Sequence, residues 1–394
     1  MKIETDIVVA GTGPAGLIAA LGLAHAGFAV ALAGPPVNMS DRRTTALMKP
    51  SLDFLSALGL LDDLKANGAP LRAMRIADAT GRLLRSPTVT FRAAEIGEEL
   101  FGLNVPNRDL LAILDAATAK AAAVRRVEAL VSRWTLDDRA VKAEFDDGNV
   151  VEARLAVAAD GRHSPARDAA GITLRATSTG QSALVLNFSH ARGHGDTSTE
   201  FHTENGPFTQ VPLPGRRSSL VWVTHPAHAA ELSSLSDAEL ARLIEEKMQS
   251  MLGRVEVEPG RQVYPLSSAL PPRFARNRVV LVGEAAHIVP PIGAQGLNLG
   301  IRDVECLATV ARDNAADPGS PSALAAYDRA RRPDILARAS AVNLLNRSLL
   351  SEMLPAQFAR AAGLSLLGAA APLRAFFMRE GLRTGSGFGG LFRT

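Results

Sequence analysis

Residues 6–34 read DIVVAGTGPAGLIAALGLAHAGFAVALAG. A short apolar run leads into Gly11-x-Gly13-x-x-Gly16. A helical pattern from Pro14 to His25 follows, then Gly27 and a second apolar run, Ala29 to Ala33. Strand, glycine loop, helix and strand within about thirty residues is the context that a dinucleotide fingerprint requires. In that reading Gly11 permits a sharp turn, Gly13 lets the backbone approach a pyrophosphate, and Gly16 allows close packing of helix on strand. The helix beginning at Pro14 and Ala15 offers free backbone N–H groups to the phosphate. A glycine-rich turn in an unrelated α/β protein is the competing reading. One part is missing: the second strand should end in Asp or Glu to bind ribose hydroxyls, and Gly34 stands there.

Ile7 to Ser40 contains no Lys, Arg, Asp or Glu, a length that would span a bilayer. Six glycines and Pro14 interrupt it, and Glu4 and Asp6 spoil the basic start of a secretory signal. A soluble, cytoplasmic fold is expected. The whole chain of 394 residues is 47% apolar and 21% charged, which suits a sizeable core. A single cysteine, Cys306, leaves no pair for a disulfide and fits a reducing compartment. Net charge is +3, but from Arg329 onward ten arginines face Asp334, Glu352 and Glu380, so the tail carries +7 and the rest −4. A basic tail suits an anionic membrane or nucleic acid. No basic run interleaved with aromatics supports nucleic acid, and no metal site is expected.

Further along, DRRTTAL (41–47) places arginines ahead of a helix, where they reach a phosphate or line a solvated entrance. Residues 74–91 alternate around Thr80-Gly81 and predict a hairpin, and a second hairpin is predicted to turn at Asp147-Gly148. Residues 107–123 are strongly helical. Residues 181–224 predict strands of a sheet with one solvated face. Ser236 and Glu239 have capping-box spacing, and helix dominates after about Tyr327.

Three separated pieces converge: the first motif, LAVAADGRHSPAR (155–167), and LVGEAAHIVPPIGAQGLNLGIRD (281–303). Their order resembles the class A FAD-dependent aromatic hydroxylases of the p-hydroxybenzoate hydroxylase fold, and the wording of the third is most similar to the UbiH/UbiF group of ubiquinone-biosynthesis hydroxylases. The resemblance extends through DRRTTAL, VPNRDLL, NGPFTQVPLP, YPLSSA and YDRARRPD.

The resemblance implies an α/β chain with a Rossmann-like FAD-binding domain, an inserted, mostly antiparallel β-sheet substrate domain, and C-terminal helices. Residues 1–73, 92–175 and 271–327 would form the first, 74–91 and 176–270 the second, and 328–394 the third. It assigns FAD to Gly11, Gly13, Pro14, Ala15, Gly16, Arg43, Arg108, Asp160, Gly283, Glu284, Pro291, Gly293, Gln295, Gly296, Leu297 and Asn298. Arg43 and Arg108 read equally as surface ion-pair partners. Glu284 replaces a family Asp at the ribityl chain, and the helix start at Leu297-Asn298 would point N–H groups at the flavin. Gly293-Ala294-Gln295-Gly296 stands where the family has Ala-Gly-Gln-Gly. Phe208, Val211, Pro212, Tyr264 and Pro265 would line a substrate pocket, with core packing as the competing reading.

Implied activity is hydroxylation of a prenylated phenol or quinone precursor through a flavin C4a-hydroperoxide. NAD(P)H or a redox protein would supply electrons, and O2 would be the co-substrate. No catalytic side chain is required, and His287 reads as a hydrogen-bonded structural histidine. Residues 335–382 read equally as a peripheral inner-membrane contact or as a helical cap. A related flavin oxidoreductase and a non-catalytic member of a ubiquinone-biosynthesis complex are the alternatives. The halogenase pairing of tryptophans is absent, since Trp134 and Trp222 are far apart.

Overall fold

A computed structural model of the chain describes residues 2–81, 86–291, 293–350, 362–363, 365–367 and 369–382. Its principal sheet is laid out around the first strand, Lys2–Ala10 (β1). On one side β1 pairs in parallel with Val30–Ala33 (β2), and β2 with Val124–Val127; on the other it pairs with Val150–Ala158, which pairs with Val279–Leu281. This is the doubly wound order, with the first strand central. Val141–Phe145 pairs antiparallel with Val150–Ala158 through a turn at Asp147-Gly148, as the sequence predicts, and Val131–Leu136 pairs antiparallel with its other side.

The central runs are apolar without alternation because both faces are covered: Ile7, Val8, Val9, Ala156 and Val157 are all fully buried. The helix Pro14–His25 (α1) is buried from Gly16 to Leu23. An all-apolar helix has to sit inside the protein. It packs between β1 and the long helix Gln295–Asp313.

A second sheet runs through Val255–Val257, Thr177–His190, Arg217–Thr224, Gly206–Leu213, Thr197–Thr203, Ala73–Asp78 and Val89–Arg92, with Gln262–Ser268 also pairing to Thr177–His190. All its pairings are antiparallel except that between Thr197–Thr203 and Ala73–Asp78. Neither face is solvated, contrary to the sequence expectation. One face lies under the helices Pro226–Ser234 and Asp237–Lys247, the latter opened by the Ser236/Glu239 capping box. The other turns towards a small sheet of Thr44–Met48, Gly102–Pro106 and Ala69–Leu71, contacted through Thr44 Oγ1 to Ser219 Oγ at 2.9 Å and Asn104 Nδ2 to Pro212 O at 2.8 Å.

The 74–91 hairpin is present, but Ile76 faces Val89, so the connection is far longer than a two-residue turn at Thr80-Gly81. Asp78 closes this loop, accepting from Thr80 N with one oxygen and from Ser86 N with the other; residues 82–85 lie outside the described residues.

The C-terminal region is helical over Pro321–Leu350 and Ala371–Leu382. Of the stretch 335–382, residues 351–361, 364 and 368 lie outside the described residues, as do residues 383–394. Among the described residues no helix is long and apolar enough to cross a membrane.

Candidate functional site

The glycine positions bring three distant segments together. Gly11 sits at φ +114° and its N–H donates to Ala33 O at 2.7 Å; a Cβ there would overlap the Ala159 carbonyl. A Cβ on Gly16 would overlap the carbonyl of Gly11, so α1 rests directly on the turn. A Cβ on Gly283 would lie 2.9 Å from Ala15 Cβ, and one on Gly300 would lie 3.2 Å from Gly283 Cα. Gly11 to Gly16, Ala159, Gly283 and Gly300 thus meet at one end of the sheet. Gly13 differs: a Cβ there meets nothing within 4 Å. Gly13 is the N-cap of α1, with Pro14 at the first turn and no side chain capping it. The amides of Ala15 and Gly16 are therefore left for an external acceptor, since Leu17 N already donates to Gly13 O.

Asp160 follows the strand Val150–Ala158. One carboxylate oxygen accepts from Ala166 N at 3.2 Å, while Oδ1 is buried with no partner. Burial pushes this carboxyl's pKa up, and hydrogen bonds from Ser164 and Ala166 only partly offset it. Glu284 is half-exposed and is held by Arg162, with Nε 3.1 Å and Nη2 3.3 Å from its two oxygens. Arg162 was not anticipated from the sequence, although it directly follows Asp160-Gly161.

Arg43 pairs with Asp41 (Nη2 to Oδ2, 2.7 Å), lies 5.4 Å over the Tyr264 ring, and feels the charge of Glu284. Asp41 also accepts from Asn107 Nδ2 at 2.9 Å, a second residue the sequence reading missed. Arg108 stands apart. It is exposed on the first turn of Asn107–Lys120 and makes no ion pair or hydrogen bond among the described residues.

In the loop before Gln295–Asp313, Gly293 has φ +66° and Ala294, the N-cap, has φ +55°. The altered order of glycine and alanine therefore places an alanine in the left-handed region. The helix begins at Gln295, two residues ahead of the predicted start, so its unpaired N–H groups belong to Gln295, Gly296 and Leu297. Pro291, Gly293 and Gly296 are exposed, and a Cβ on Gly296 would meet nothing within 4 Å. Gln295 donates to Gly293 O at 3.0 Å and accepts from Arg338 at 3.3 Å. The Asn298 side chain is fully occupied by the protein. Its Oδ1 accepts from Met48 N at 2.8 Å and Ser51 Oγ at 2.7 Å, and its Nδ2 donates to Ala46 O and Ala294 O. It ties the helix start to the strand Thr44–Met48.

The five substrate-pocket residues divide between two faces. Phe208 stands opposite Trp222, in T-shaped contact with it and with Phe201, and fully buried beneath the helices. Pro265 is exposed and stands opposite Ser182, beside Leu184 of that same face. Val211 faces Ser219, and Tyr264 faces Ala183, on the side turned to Thr44 and Arg43. Pro212 contributes its carbonyl to Asn104. Cross-strand partners share a face and sequence neighbours do not, so Val211 and Tyr264 lie on the face turned to Thr44 and Arg43 while Phe208 does not.

The family described as FAD binding domain matches residues 4–340. The chain belongs to this FAD-binding family. It is 33% identical over 389 residues to a ubiquinone hydroxylase, UbiL, of Rhodospirillum rubrum, covering 96% of this chain and 90% of that protein. It is 30% identical to the 3-demethoxyubiquinol 3-hydroxylase of Escherichia coli strain K12, covering 91% and 94%. The crystal structure of p-nitrophenol 4-monooxygenase PnpA from Pseudomonas putida DLL-E4 superposes with a TM-score of 0.77 at 24% identity, with full coverage of both chains. This FAD-binding protein thus has the monooxygenase fold related to the aromatic hydroxylases. Its residues fit the cofactor: two uncapped helix starts, open space at Gly13 and Gly296, and a buried carboxylate oxygen lacking a partner at Asp160. One expected part is missing: Gly34, directly after β2, has no carboxylate for the ribose hydroxyls.

Proposed function

We propose that this family member hydroxylates the aromatic ring of a polyprenylated phenol in ubiquinone biosynthesis. The observation that carries the reading is the identity of 33% and 30%, across nearly the whole chain, to a ubiquinone hydroxylase and a 3-demethoxyubiquinol 3-hydroxylase. The sheet face bearing Val211 and Tyr264 supports it. That face is apolar through Ala183, Val185, Val221, Val223 and Leu266, as a greasy ring substrate requires.

When bound, FAD supplies the oxidative chemistry, moving one oxygen atom of O2 to the ring, with electrons from NAD(P)H or a redox protein. The protein's part is to bind, orient and exclude water. The start of α1 and Gly13 would take the pyrophosphate, and the amides of Gln295, Gly296 and Leu297 would favour negative charge beside the flavin. Asp160, whose pKa burial pushes up, has an unused buried oxygen for a ligand hydroxyl. Arg43 and Glu284 carry charge at the border between the two sheets, and Arg108 follows Asn107, which donates to the Asp41 partner of Arg43. Val211, Val221 and Val223 keep water from the ring. His287 is structural in this account, because Asp303 occupies its Nε2. Exposed Leu344, Leu366 and Phe377 support a peripheral membrane contact for the C-terminal helices, where such a substrate dissolves. A ubiquinone-biosynthesis complex is the partner this reading favours.

The test is twofold. Purified protein should carry or take up FAD, and a strain lacking the gene should accumulate a prenylated precursor short of one ring hydroxyl. Colourless protein that refuses FAD, or a strain with a normal precursor profile, would sink the proposal.

A further inference from the structure

The strand end that should present a carboxylate to the adenosine ribose presents Gly34. The space a side chain would enter is crowded: Thr12 Cγ2, N and Oγ1 all lie within 3.2 Å of a Cβ placed there, and Thr12 Oγ1 donates to Pro35 O at 2.7 Å. A glutamate restored there would require Thr12 to yield by a few tenths of an ångström. Yet ligands of doubly wound sheets lie beyond the carboxyl ends of the strands, and three carboxylates follow such ends here.

Asp160 follows Val150–Ala158 and Glu284 comes three residues after Val279–Leu281; both stand on the far side of β1 from β2, and Glu284 is claimed by Arg162. The third is Glu128, directly after Val124–Val127, the strand next to β2 on the Gly34 side. The register brings Ala33 level with Val127, and the N–H of Gly34 donates to Val127 O at 3.1 Å. Ala129 N donates back to the same carbonyl at 2.9 Å, so Glu128 is the apex of a tight three-residue turn at the sheet edge. Adjacent strands are about 4.8 Å apart, a gap a glutamate side chain can bridge. Glu128 is exposed, and its carboxylate has no hydrogen bond or ion pair among the described residues. Asp41, the only acid between Gly34 and Lys49, is taken by Arg43 and Asn107.

We infer that Glu128 binds the adenosine ribose hydroxyls of FAD, replacing from the neighbouring strand the carboxylate that Gly34 lacks. This assignment rests on the flavin site described above, and it is independent of the substrate proposed for it. Glu128 is a binding residue for the half of FAD that takes no part in chemistry, so its loss should separate FAD from FMN.

Dissociation constants for FAD and FMN, measured by quenching of flavin fluorescence, test this on wild-type protein, Glu128→Gln and Glu128→Ala. Both variants should bind FAD about tenfold more weakly, as befits a lost hydrogen bond to a charged group, while FMN binding and thermal midpoint stay within error of wild type. An FAD analogue with 2′,3′-dideoxyadenosine should bind wild type with the same deficit and be indifferent to Glu128→Gln. Unchanged FAD affinity in Glu128→Gln, or equal weakening of FAD and FMN, overturns the assignment while leaving the flavin site intact. Wild-type protein that binds neither flavin overturns both.

Discussion

Asp303 Oδ2 lies 2.7 Å from His287 Nε2, with both side chains shielded from solvent, and Asp303 Oδ1 accepts from Arg331 Nε at 2.8 Å. Gly283 N also donates to this carboxylate, at 3.2 Å. The strand end that leads to the glycine-rich loop is therefore pinned to the long helix Gln295–Asp313 and, through Arg331, to Pro321–Leu350. Asp334 extends the network by accepting from Arg302, Arg331 and Arg338.

Removing the central charge leaves its buried partners uncompensated. Asp303→Asn should cost about 3–5 kcal/mol, read as a lower urea midpoint at neutral pH. An unchanged midpoint would show that the network contributes little to stability.

The same network sets an acid limit. Burial opposes ionisation of both Asp303 and Asp334, but His287 and Arg331 around the first, and Arg331 and Arg302 around the second, outweigh it and hold both carboxyls below their usual range. A depressed folded pKa gives stability that is present above the unfolded value, about 3.9, and is lost as pH falls through the folded one. Unfolding free energy should therefore drop from about pH 4 downward, and less steeply in Asp303→Asn. Equal slopes in the two proteins would contradict this.

Two glycines of the first motif should fail differently. Gly16→Ala forces a methyl into the Gly11 carbonyl and should yield unstable or insoluble protein. Gly13→Ala has room within the protein, so its thermal midpoint should match wild type while FAD affinity falls at least tenfold. The comparison needs only a melting curve and a flavin titration, and a Gly13→Ala protein that holds FAD normally would remove Gly13 from the site.

Ala294 occupies a conformation that costs an L-residue roughly 1–2 kcal/mol. Ala294→Gly should relieve about 1 kcal/mol of that, the remainder being offset by backbone entropy, and raise the thermal midpoint by a few degrees. A lower midpoint would mean that the alanine methyl makes a packing contribution larger than the strain.

The two faces of the second sheet predict opposite outcomes. Phe208→Ala should lose about 3–5 kcal/mol, with any surviving protein keeping its KM, because Phe208 is packed against Trp222 and Phe201. Tyr264→Ala should leave stability nearly unchanged and alter flavin spectra or KM, since its ring lies beneath Arg43. Exchange of these outcomes would mean that the faces have been assigned the wrong way round.

What the sequence made legible was local. Gly11, Pro14 and Gly16 specify a turn and a helix start within six residues, and the Ser236/Glu239 cap is complete within four. Strand alternation was equally readable, but both Leu184 and Val185 are apolar, so periodicity could not say which face meets the helices and which meets Arg43. That is why Phe208 and Val211 were placed together. The partners of Asp303 come from Gly283, His287 and Arg331, segments joined only by folding, and Arg162 acquires its meaning only beside Glu284. Asn298 was placed on the correct helix, but its side-chain contacts with Met48 and Ser51 span some 250 residues of chain.

The most direct measurement uses purified protein loaded with FAD, given a reductant, a prenylated phenol and isotopically labelled O2, with the products read by mass spectrometry. The account predicts a ring-hydroxylated prenylphenol carrying one labelled oxygen atom, formed only when substrate, FAD and O2 are all present. Reduced flavin consumed by O2 with no labelled product, or a hydroxyl derived from water, would contradict it.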